Sequence, residues 1–162
     1  MDSIVGFKSD AHNLQTATSS YSFIENLDSA NRYSMISNNM FLKSDFLYGY
    51  TCIMPEEIHQ YIDKYPACRD IAINMLVSGQ TGSSPILVKA DYLYEFEDNH
   101  PQTIHQRSQC INEMSVLFNG KNPLNLNNQI VSKATPEQVN YLDSLDDWAS
   151  SIAAIKAGKN TA

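Results

Sequence analysis

The chain is short of charge, and shortest of positive charge. Eleven Lys and Arg stand against 18 Asp and Glu in 162 residues, a formal net charge of −7. A nucleic-acid surface needs clustered cations to displace counterions from phosphate, so this balance argues against general DNA or RNA binding. Cysteine is equally scarce. Cys52, Cys68 and Cys110 are odd in number and far apart, with no Cys-x-x-Cys and no short Cys/His cluster. That spacing indicates neither a zinc site nor a disulfide framework. All three are expected to be free thiols serving as small apolar core residues. No apolar run exceeds a few residues, so no membrane span is expected. Met1-Asp2-Ser3-Ile4-Val5 lacks the basic region and long apolar stretch of a signal peptide. The expected compartment is a reducing cytoplasm.

Neutral polar groups take the place of the missing charge. Charged residues make up 18% of the chain, below the roughly 25% of an ordinary soluble domain. There are 18 Ser and 15 Asn, while 43% of residues are hydrophobic, enough to bury a core. The N-terminal part has β character: Ile4-Val5-Gly6-Phe7, Tyr21-Ser22-Phe23-Ile24 and Phe46-Leu47-Tyr48-Gly49-Tyr50 are aromatic or β-branched and separated by turn residues. From residue 54 the pattern changes. Pro55 with Glu56 and Glu57 marks a helix start, and Tyr65-Pro66 interrupts that helix. Cys68, Ile71, Ala72, Met75 and Leu76 then form one apolar helical stripe, with Gly79 expected as its C′ residue. After the turn Gln80–Pro85, Ile86–Val88 and Tyr92–Phe96 read as strands.

Glu97-Asp98-Asn99-His100-Pro101 is a polar break and the expected boundary between residues 1–100 and 101–162. Beyond it, Ile104, Ile111, Met114 and Phe118 form a heptad-like seam that Gly120 closes. Thr135-Pro136-Glu137-Gln138 is a capping box opening an apolar-striped helix that runs to Gly158. That helix, about six turns long, requires a second surface to pack on. The expected fold class is therefore α+β: a β-rich N-terminal domain with short helices, then a C-terminal helical hairpin or coiled-coil-like module.

Local signatures of chemistry are missing. His100 and His105 lack metal-pair spacing, and the acids Asp91, Glu95, Glu97 and Asp98 lack a cation-binding loop pattern. Gln80-Thr81-Gly82-Ser83-Ser84 has no phosphate-loop lysine. No catalytic residue, metal or cofactor is expected. The aromatic residues Tyr48, Tyr50, Tyr92, Tyr94, Phe96 and Trp148 are instead the candidate partner-binding set, because Tyr and Trp offer large rigid contact areas with a polar handle.

In order along the chain, several blocks resemble the tail fibre assembly proteins of tailed bacteriophages and tailocins. They are Asn38-Asn39-Met40-Phe41-Leu42, Met54-Pro55-Glu56-Glu57-Ile58, Leu76–Gly82 followed by Ile86, the Arg107–Phe118 helix, Asn122-Pro123-Leu124, and Ala134–Gln138 opening a Leu- and Trp-bearing helix. Residues 1–37 carry none of the resemblance, and Ala149 stands where the family has an arginine. The resemblance implies a non-enzymatic chaperone that binds the C-terminal tip of a trimeric tail fibre in the host bacterial cytoplasm. It would aid folding and remain on the fibre tip of some particles, with self-association through the 136–157 helix. The alternative expectation is an acidic inhibitor or immunity protein that blocks a basic toxin or nuclease.

Overall fold

Two of the short aromatic or β-branched runs, at Val5–Gly6 and Tyr21–Ile24, lie in strands of the computed structural model, which describes residues 2–25, 32–37, 39–89 and 103–131. These all lie in one compact unit, Met1–Val131. Strands β1 (Val5–Gly6), β2 (Ser9–Gln15), β3 (Ser20–Ile24), β4 (Met35–Ile36) and β5 (Met40–Phe41) come first. Helix α1 (Ser44–Tyr48) runs into a π-helical turn (Gly49–Ile53). Then come α2 (Glu56–Lys64), a 3-10 turn (Pro66–Cys68), α3 (Arg69–Thr81), β6 (Ile86–Val88), α4 (Ile104–Leu117) and β7 (Ile130–Val131). Helices and two sheets together make the class α+β. The expected division at residue 100, the Tyr92–Phe96 strand and the helix after Thr135 lie outside the described residues.

One sheet has the order β5-β1-β6-β7, with β5 antiparallel to β1 and the rest parallel. The other is antiparallel, β3-β2-β4, with Asp10 opposite Met35 and His12 opposite Phe23. Helix α3 is apolar on more than one side, the signature of a buried helix. Ile71, Ala72, Met75 and Leu76 enter a core with Ile58, Ile62, Ile111 and Met114, while Val77 enters a second core with Ile4, Tyr33, Ile36, Phe46 and Leu87. Tyr33 ties segments together: its hydroxyl donates to Gln129 O at 2.5 Å and accepts from Leu87 N–H at 3.0 Å.

Three expectations need correction. Residues 46–50 are helical, because a helical turn buries Phe46 and Gly49 and leaves Leu47 and Tyr48 outside; packing overrides the β preference of the aromatic run. The α3 helix passes through Gly79 and ends at Gly82, whose φ of +67° is the left-handed cap. The thiols are not all free: Cys68 and Cys110 form a disulfide, with Cα atoms 5.6 Å apart, and only Cys52 is a free thiol, on the surface. Forty-two residues separate the bonded pair, so spacing along the chain concealed what packing of α3 on α4 brings together.

Candidate functional site

Three charged groups converge where α3, α4 and the three-stranded sheet meet. Asp70 stands in the first turn of α3, where the helix dipole favours a carboxylate. Arg107 lies in the first turn of α4, whose start is fixed by a capping box between Thr103 and Gln106. Arg107 Nη1 and Nη2 donate to Asp70 Oδ1 and Oδ2 at 2.8 and 2.7 Å, a bidentate fork. Nη1 also donates to Ala67 O at 3.0 Å, and the Phe23 ring centroid lies 4.7 Å from the guanidinium carbon. Asp10, on β2, approaches Nη2 at 3.9 Å and accepts a short hydrogen bond from Ser37 Oγ. The side chains of Arg107 and Asp10 are 10% and 5% exposed, whereas Asp70 keeps 17%. Asp70 is therefore the most accessible member.

Two residues along β2 from Asp10, His12 bonds through Nδ1 to Ser34 Oγ at 2.7 Å and sets its ring edge-on to Tyr21. Burial pushes its imidazole below the ordinary 6.5, towards the neutral form. The Cys68–Cys110 disulfide brackets the ion pair: Cys68 precedes Asp70 by two residues, and Cys110 follows Arg107 by three. Among the described residues, no group of three His, Cys, Asp or Glu converges as a metal ligand set.

Of the expected partner-binding residues, Tyr48 and Tyr50 are among the described ones, and neither belongs to this cluster. Tyr48 is exposed beside Leu47 and Ile53, and Tyr50 is half-buried with its ring against His59. Tyr92, Tyr94, Phe96 and Trp148 lie outside the described residues, as does the self-association expected of the 136–157 helix. The residues that do converge gave no local signal. Asp70 and Arg107 are 37 residues apart, and each alone reads as an ordinary surface charge on an amphipathic helix.

The geometry at this point is a largely buried, hydrogen-bonded carboxylate–guanidinium cluster in an α+β domain. The chain belongs to glycosyltransferase family 64: the glycosyl transferase family 64 domain model matches residues 1–135. It is 30% identical over 130 residues to an exostosin-like-3 homolog of Caenorhabditis elegans, covering 76% of this chain and 15% of that protein. It is 29% identical over 149 residues to exostosin-like 2 of Mus musculus, covering 82% and 44%. It is 33% identical over 97 residues to glycosylinositol phosphorylceramide mannosyl transferase 1 of Arabidopsis thaliana, covering 57% and 28%. The chain thus spans less than half the length of each of these relatives.

This membership overturns the tail fibre resemblance and what followed from it. The non-enzymatic chaperone, the fibre-tip partner, the host bacterial cytoplasm and the alternative of an acidic inhibitor all give way to a glycosyltransferase family with animal and plant members. The physical cause of the error is plain. Among the described residues, those blocks fall on a two-residue strand, on parts of three helices and on a loop, elements that recur in many folds. Among the described residues, no helix is long and apolar enough to cross a membrane.

Proposed function

We propose that this chain takes part in glycosyl transfer, moving a sugar from an activated donor to a hydroxyl of an acceptor, with Asp70 facing the reacting atoms. The observation that carries this reading is the forked Asp70–Arg107 pair inside the stretch matched by the family. In the transfer, the bond from the anomeric carbon to the donor's phosphate oxygen breaks and a bond to the acceptor oxygen forms. The acceptor hydroxyl loses its proton. A carboxylate whose two oxygens are held by Arg107 suits stabilising positive charge at the anomeric carbon, and the acceptor proton goes to the departing phosphate oxygen. Arg107, already engaged by Asp70, the Ala67 carbonyl and Asp10, acts as the orienting group.

Several further points belong to the same proposal. The disulfide suits synthesis in an oxidising compartment, since such bonds are rare in reducing cytosol. An amphipathic helix over 136–157 is kept as an organisational proposal. Tyr48 and Tyr50 are kept as candidate surface contacts for an acceptor or a partner.

The test is a transfer and hydrolysis assay of the full chain against a panel of labelled nucleotide sugars, a mannose donor included. Turnover should appear with at least one donor and fall by roughly 100-fold or more in Asp70→Asn, the size of loss seen when a group acting in the transition state is removed. Activity that survives Asp70→Asn unchanged would refute the assignment of Asp70.

A further inference from the structure

Each helix that carries one half of the ion pair also carries an asparagine that pairs with an edge of the three-stranded sheet. On α3, Asn74 Oδ1 accepts from Ile36 N–H at 2.9 Å; its Nδ2 donates to Ile36 O at 2.9 Å and to Asp70 O at 2.8 Å. On α4, Asn112 Oδ1 accepts from Tyr21 N–H at 2.7 Å; its Nδ2 donates to Tyr21 O at 2.6 Å and to Ser108 O at 2.7 Å. Ser108 Oγ adds a bond from Phe23 N–H at 2.8 Å. The two arrangements are the same device. A primary amide offers one donor and one acceptor side by side, as the backbone of a neighbouring strand would. Its second N–H bonds one turn back along its own helix.

Ile36 belongs to β4 and Tyr21 to β3, the two edges of the sheet whose central strand β2 carries Asp10. Both edges are therefore closed by helix side chains, one from each helix of the Asp70–Arg107 pair. Asn74 is 1% exposed, and its amide bonds the main-chain carbonyl of Asp70 itself.

We infer that Asn74 and Asn112 are the positioning residues of this site: they register α3 and α4 on opposite edges of the sheet and so set Asp70 and Arg107 relative to Asp10. The disulfide and the ion pair join the helices to each other; the two amides register them on the sheet. For Asn74, loss of the amide leaves Ile36 N–H and Ile36 O without partners in a buried place, so the strand and the helix must shift to recover them. A shift of about 1 Å at such a site is enough to cost on the order of 100-fold in rate. The consequence for rate rests on the proposed function; the geometry does not.

The test is therefore made without a substrate, on the Arg107 guanidinium signals of the full chain by nuclear magnetic resonance. A rigid fork gives separate, slowly exchanging Nη–H lines. Asn74→Leu fills the volume without the amide. Asn74→Asp is nearly isosteric, keeps the acceptor for Ile36 N–H, and sets a carboxylate against two carbonyl oxygens; it carries the test if the leucine variant does not fold. Asn112→Leu makes the same test from α4. The control is Ile62→Ala, a core truncation on α2 that lowers Tm without touching the amides. The Arg107 lines should merge in the asparagine variants and stay separate in the control. Separate lines in the asparagine variants, or equal loss in the control, would overturn the inference. Where transfer is measurable, kcat should fall on the order of 10-fold or more in Asn74→Asp while KM changes by less than about twofold. Merged lines with unchanged kcat would support the positioning and count against Asp70 as the reacting group.

Discussion

Gly6 shows how little room single positions in this fold leave. A Cβ at Gly6 would lie 2.2 Å from Ile36 Cγ2 and 3.0 Å from Asn39 O, and Ile36 is fully buried. Gly6→Ala should therefore destabilise the protein by about 1–3 kcal/mol, the usual cost of overpacking. It should appear as a lower urea midpoint at unchanged slope. His12 gives a residue-scale pH prediction. Burial depresses its folded pKa below 6.5, so the unfolded chain takes the proton first as pH falls. The stability held by the neutral imidazole is complete above 6.5, drops below it, and is fully lost once pH passes below the folded pKa. Tm measured from pH ~7 down to ~5 should fall less steeply in His12→Asn than in the parent chain; parallel curves would exclude His12 as a cause. Single residues also bear on the composition. Asn74, Asn112, Asn127, Ser37 and Ser108 all bond the main chain or a buried carboxylate, so part of the Asn and Ser richness among the described residues is internal hydrogen bonding.

The elements that repeat at helical spacing were legible before the structure. The stripe of α3 is buried as expected, Pro55 stands at the start of α2 with its two acids in the first turn, and Gly120 does take a left-handed conformation just past α4. The Thr103–Gln106 box was legible in principle, having the same Thr-x-x-Gln form as Thr135–Gln138, and Thr103→Ala should cost about 1 kcal/mol. The disulfide was not legible, because nothing local marks Cys68 and Cys110 as neighbours. Its removal is the element-scale test. Closing a loop of 42 residues contributes about 4 kcal/mol by constraining the unfolded chain. The Cys68→Ala/Cys110→Ala double variant, or the reduced protein, should lose stability of that order in urea unfolding. An unchanged midpoint would show that α3 and α4 hold together without the bond.

At the scale of the whole molecule, the reactive-looking site exists only because three separate elements meet. Asp10 comes from a strand, Asp70 and Arg107 from two helices, and none has a neighbour in the sequence that betrays its role. Sequence patterns report which face of an element is apolar; they do not report which polar residues from distant elements meet beneath that face. The class α+β was therefore readable, while the site and the family were not. The order of helix starts and turns pointed instead to an unrelated assembly protein. The central claim is that Asp70, oriented by Arg107, faces the reacting sugar. The most direct measurement is a titration of isotope-labelled chain with the nucleotide sugar that gives the fastest turnover, followed at the Asp70 carboxyl and the Arg107 Nη groups by nuclear magnetic resonance. Saturable shifts concentrated at these two side chains, and lost in Asp70→Asn, are the expected result. Shifts confined to the exposed Leu47–Ile53 face, with Asp70 and Arg107 unmoved, would contradict the account.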